Sequence, residues 1–83
     1  MDTLKPFSAE ARTVKPGIYQ HCKGKAYEVL YVGRHEESLD EVVIYKALYD
    51  ERDVWVRSLA KFLETVTMPD GTLAPRFRYL RSA

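Results

Sequence analysis

The sequence predicts a mainly β domain: a small SH3-like barrel of about five or six antiparallel strands with one short helical turn. Three observations carry this. Short runs rich in β-branched and aromatic residues recur along the chain, Gly- and Pro-containing turns separate them, and only one stretch shifts to helical spacing. A chain of 83 residues has room for one such domain and is short for an OB-like barrel.

Residues 1–14 read as an N-terminal arm, interrupted by Pro6, with Ser8-Ala9-Glu10-Ala11-Arg12 long enough for a single helical turn. Lys15-Pro16-Gly17 marks the start of the domain, 15–83. Ile18-Tyr19-Gln20-His21 reads as a strand, Lys23-Gly24-Lys25 as a turn, and Ala26 to Arg34 as a longer strand, together a hairpin. His35 to Glu41 is a polar loop. Val42 to Tyr49 is the strongest strand, Asp50 to Asp53 a charged turn, and Val54-Trp55-Val56-Arg57 the next strand. Ser58 then caps a turn that sets Leu59, Phe62 and Leu63 on one face. Met68-Pro69-Asp70-Gly71 is a turn, and Arg76 to Leu80 alternates as a closing strand, Phe77 and Tyr79 inward and the arginines outward.

The charge arithmetic excludes some roles and leaves others open. Thirteen basic groups against 12 acidic ones leave a net charge of +1. The balance is uneven, with +3 over residues 1–34, −5 over 35–70 and three arginines without acids over 71–83. A basic patch for nucleic acid is therefore local at most and is not the favoured reading. No run approaches a membrane span, and the first five residues lack a signal-peptide layout. Cys22 is the single cysteine, which precludes an internal disulfide and fits a reducing, cytoplasmic setting.

Several look-alike motifs fail on inspection. Ala47-Leu48-Tyr49-Asp50 mimics the peptide-binding motif of signalling SH3 domains but lies past the midpoint, and Trp55 is the lone tryptophan. His35-Glu36 opens like a zincin helix, yet Leu39 stands where the second histidine belongs. No metal or other cofactor is expected. Cys22 and His21 are neighbours on a strand, so alternation sends them to opposite faces and argues against a thiol–imidazole pair.

Alternation also suggests a site. Ile18, Ile44, Leu48, Val54 and Val56 form aliphatic faces, expected as core. The opposite faces carry Tyr19, His21, Tyr45, Tyr49, Trp55 and Arg57, with small Ala47 between two tyrosines. A dry core accepts such a set reluctantly, so these six are expected to converge on a concave aromatic surface. Its arginine suits a carboxylate or phosphate, and its rings suit a planar or cationic group.

From Lys15 to Phe62 the chain resembles a small bacterial family catalogued as domain of unknown function 1653. The matching residues are Lys15-Pro16-Gly17, Tyr19, His21, Lys23-Gly24, Tyr27, Val29, His35, Val42-Val43, Tyr45, Leu48-Tyr49, Trp55-Val56-Arg57 and Phe62. Cys22 replaces the usual aromatic and Ser58 the usual proline. The resemblance implies an SH3-like barrel and no established activity.

These readings point to a binding module that holds a small molecule or a short protein segment at the aromatic face, and they are compatible with a homo-oligomer. Two alternatives stand beside it. One is a nucleic-acid accessory domain; the other is a small enzyme using His21 or His35 with Tyr45 and Arg57.

Overall fold

The computed structural model describes residues 5–83; the first four residues of the expected arm lie outside the described residues. The elements run α1 (Ala9–Thr13), β1 (Gly17–His21), β2 (Ala26–Arg34), β3 (Glu41–Ala47), β4 (Val54–Ser58), α2 (Leu59–Phe62), β5 (Thr65–Thr67), β6 (Leu73–Pro75) and β7 (Phe77–Arg81). The β1, β2 and β4 strands, the α2 turn and the last strand fall within a residue of where the pattern puts them, whereas β3 stops at Ala47 and leaves Leu48 and Tyr49, expected in that strand, in a bend. The β5–β6 hairpin is additional. Its strands are three residues each, too short to show alternation, and it folds around the Met68–Gly71 turn, where Met68 N–H donates to the Thr72 carbonyl at 2.7 Å. None of the described helices is long and apolar enough to cross a membrane.

Five antiparallel strands form one sheet in the order β4-β3-β2-β1-β7, and β5-β6 form a second. Local hairpins explain the first three joints. The fourth brings the last strand beside the first, with His21 opposite Phe77. Irregularities between Ile18 and Tyr19 and between Val29 and Tyr31 bend the sheet. Strands lie about 4.8 Å apart, so the outer strands of a flat five-stranded sheet would be roughly 19 Å apart. Here the guanidinium of Arg57, on β4, sits 5.8 Å from the ring of Phe77, on β7. The sheet is therefore rolled. Among the described residues no ladder joins β4 to β7, so the mainly β architecture stands as a rolled five-stranded sheet with no hydrogen-bonded closure.

The larger correction concerns which face is core. The side expected to be aliphatic core is largely outside: Val54 is 55% and Val56 63% exposed, and Ile44 and Leu48 are only half-buried. Ile18 alone of that set is buried. The interior is the aromatic side. Tyr19, Tyr45, Phe62 and Phe77 are buried there with Val29 and Val43, and Ala11, Val14 and Leu59 cover them. Phe62 stacks on Phe77 at 4.4 Å and meets Tyr19 edge-on at 5.5 Å. The reason is that every inward hydroxyl finds a partner. Tyr19 OH accepts from Lys15 N–H at 3.1 Å and donates to Lys15 C=O at 2.9 Å. Tyr45 OH accepts from Arg57, and Tyr27 and Tyr49 bond to each other. A tyrosine so satisfied is an aromatic core residue with no orphaned polar atom. Burial raises the Tyr19 pKa above its ordinary value.

Besides the burial of Ala11 and Val14, one carboxylate ties the start of α1 to β3. Ser8 caps α1, its hydroxyl accepting from Ala11 N–H at 3.0 Å. The same residue donates its N–H (2.7 Å) and hydroxyl (2.6 Å) to Glu41 at the start of β3. These bonds hold the Glu41 carboxyl below its usual range. A depressed carboxyl pKa stabilises the fold above its unfolded value, and that contribution is lost as pH falls through the folded value. Amide-exchange protection over residues 9–14 is therefore expected to drop on acidification, and Glu41→Gln should show the same loss at neutral pH. Protection that ignores both changes would contradict the role given to Glu41.

Candidate functional site

The concave face of β2, β3 and β4 ends in a hollow of about 230 Å³ lined by Tyr27, Tyr45, Tyr49, Trp55 and Arg57. Register explains the grouping. Tyr45 stands directly opposite Trp55, and Tyr27 opposite Ala47, which puts these rings on one face of the sheet. Tyr27 meets Tyr45 edge-on at 5.3 Å and Tyr49 at 5.4 Å. Trp55, 52% exposed, forms the rim. Lys25 lies 4.4 Å over the Tyr49 ring, a cation held against an aromatic face.

Arg57 is the charged group of the hollow. It is half-buried, and its Nε donates to Tyr45 OH at 3.2 Å. No described carboxylate pairs with it; the two ion pairs among the described residues both use Glu64, with Lys61 and with Arg76. Tyr27 is kept neutral by burial and by its bond to Tyr49, which push its pKa up to about 12. The arrangement offers a fixed cation, neutral hydroxyls and π-faces.

Four of the six expected residues, Tyr45, Tyr49, Trp55 and Arg57, line this hollow. Tyr19 does not: it is deeper, packed between Phe62 and Tyr79. His21 borders a different hollow, with Gln20, Cys22 and Arg78, and contacts Phe77 at 4.9 Å. Burial, then the charges of Arg57, Arg76 and Lys23, lower its pKa. Tyr27 was not among the expected residues. The signal for it lies in the hairpin register, which sets it opposite both Tyr19 and Ala47.

His21 and Cys22 also depart from expectation. β1 ends at His21, and Cys22 begins a turn, so alternation no longer applies there. The Cys22 sulfur comes to 3.6 Å from His21 Nδ1, which also accepts from Lys23 N–H at 3.1 Å. Among the described residues no three His, Cys, Asp or Glu side chains are arranged to hold a metal ion.

A family model described as protein of unknown function (DUF1653) matches residues 17–79, which span the whole hollow and its supporting sheet. The chain belongs to the DUF1653 family. A crystal structure of a DUF1653 protein from Bordetella bronchiseptica is similar, with 33% identity and a TM-score of 0.80 over 88% of this chain and 95% of that one. Among curated proteins none matches. The DUF1653 match leaves the whole arm outside, so the Ser8–Glu41 tie is made by residues on either side of its boundary. Ser58 has φ −58°, close to the value proline imposes, and caps α2 through Lys61 N–H at 3.3 Å.

Proposed function

We propose that the domain is a binding module whose hollow captures a carboxylate presented beside a planar or apolar group, by a small molecule or by a short protein segment. The observation that carries this is Arg57. A half-buried guanidinium held by one tyrosine and lacking a described carboxylate has donors free for a planar anion, which it binds bidentately. The rings around it offer stacking, and the volume suits one ring or one side chain rather than a drug-sized ligand.

The sole tryptophan lies on the rim, so intrinsic fluorescence reports the site directly. Titration with benzoate, with inorganic phosphate and with short acidic peptides is expected to shift Trp55 emission for the carboxylates. Arg57→Ala should weaken that response about tenfold or more, the scale of a lost charge-assisted pair. Emission that ignores every probe, or an equal response in Arg57→Ala, would refute the reading.

A further inference from the structure

We propose that the segment captured at this site is the β4 strand of a second copy of the chain, joined edge to edge and antiparallel, so that two five-stranded sheets become one. This rests on the reading of Arg57 as a carboxylate anchor and names its partner.

The first support is the edge itself. β4 ends the sheet, and its Val54, Trp55 and Val56 are all more than half exposed. Soluble proteins usually protect such an edge with lysine, proline or a bulge. The opposite edge, β7, carries Arg78 and Arg81 and is irregularly paired to β1. β4 pairs regularly with β3, without a bulge, and its one charged side chain, Arg57, lies on the inner face beside Tyr45. Its backbone is also poised to pair. The carbonyl of Asp53 accepts from Ala47 N–H at 2.9 Å, so alternation turns the N–H and C=O groups of Val54 and Val56 away from β3.

The second support is charge. The sequence Asp53-Val54-Trp55-Val56-Arg57 complements itself when read in reverse. A two-fold axis through Trp55 places Asp53 of one copy opposite Arg57 of the other, twice. It sets Val54 against Val56, in the pairs that exchange main-chain hydrogen bonds, and Trp55 against Trp55. The Asp53–Arg57 pairs then fall at positions without main-chain bonds, where side chains approach most closely. On the outer face the cross-strand row Tyr31–Ile44–Val56 continues onto Val54 of the second copy. The symmetry is isologous, so the assembly stops at two.

The test is sedimentation over a concentration series. The wild type is expected to dimerise. Asp53→Arg sets arginine against arginine at both pairs, and Arg57→Glu sets acid against acid; each should weaken dimerisation about tenfold or more. Mixed together, the two variants regain opposite charges at both pairs and should form a heterodimer. Val56→Pro removes an outward N–H without touching the β3 ladder and should give a folded monomer by circular dichroism. A wild type that is monomeric at every concentration, or folded variants that fail to associate on mixing, overturns the proposal. In that event a carboxylate response lost in Arg57→Ala leaves the site reading standing. Conversely, a dimer unaffected by Asp53→Arg and Arg57→Glu overturns the register and the Arg57 anchor together.

Discussion

Phe62→Ala is expected to remove about 3–5 kcal/mol of stability, the cost of deleting a fully buried ring from a core that cannot collapse around the gap. Phe62, on α2, is 2% exposed and touches three strands: it stacks on Phe77 of β7 and meets Tyr19 of β1 and Tyr45 of β3. It is the wedge around which the sheet rolls. A domain of this length has a total stability of only about 4–12 kcal/mol, so the variant sits near the edge of folding. Urea denaturation measures the change, and a fall of roughly 15 °C or more in Tm should accompany it. Phe62→Leu keeps most of the volume and should cost under about 2 kcal/mol. A loss below about 1.5 kcal/mol in the alanine variant would show that Phe62 does not occupy the centre of the core.

Gly17→Ala has the second largest expected effect, about 2–4 kcal/mol, and acts on the backbone rather than the core. Gly17 has φ +144°, a conformation that side chains rarely adopt. An added Cβ would lie 2.6 Å from the Arg81 carbonyl oxygen and 3.0 Å from the Tyr79 ring. Neither can yield cheaply, because the first is backbone and the second is packed against Tyr19. Gly24 supplies the control. It too has positive φ, +105°, but nothing lies within 4 Å of an added Cβ. Gly24→Ala should therefore cost only the strain of its φ, about 1 kcal/mol. Equal losses at the two positions, measured by urea denaturation, would remove the β1–β7 contact from the explanation.

How far the residues announced this structure depends on which signal is asked for. Strand existence was legible, because Val42 to Ala47 and Ala26 to Arg34 are dense in residues that suit a pleated sheet. The inner face was not, because alternation names two faces without saying which is inside. Valine and isoleucine looked like core and tyrosine like surface. The partners that reverse this, Lys15 for Tyr19 and Arg57 for Tyr45, are set by chain geometry and not by residue type. The grouping of Tyr45, Trp55 and Arg57 around one hollow was legible, because strand parity and one hairpin register suffice to bring them together. Tyr19 and His21 share that parity but lie on β1, two strands from β3, where parity says nothing about depth. The Cys22–His21 approach was hidden because it depends on where β1 stops, the least readable property of a strand.

The placement of β7 beside β1 also orders the assembly of the fold in time. The pairings among β1, β2, β3 and β4 are hairpins between sequence neighbours, which close quickly. The β1–β7 joint, with His21 opposite Phe77, instead closes a loop of more than fifty residues. That closure carries the largest entropic cost in the sheet and is compensated only when Phe77 meets Phe62. The rate of folding is therefore governed at the β1–β7 joint, and the sheet presents β1 as a second open edge until β7 arrives.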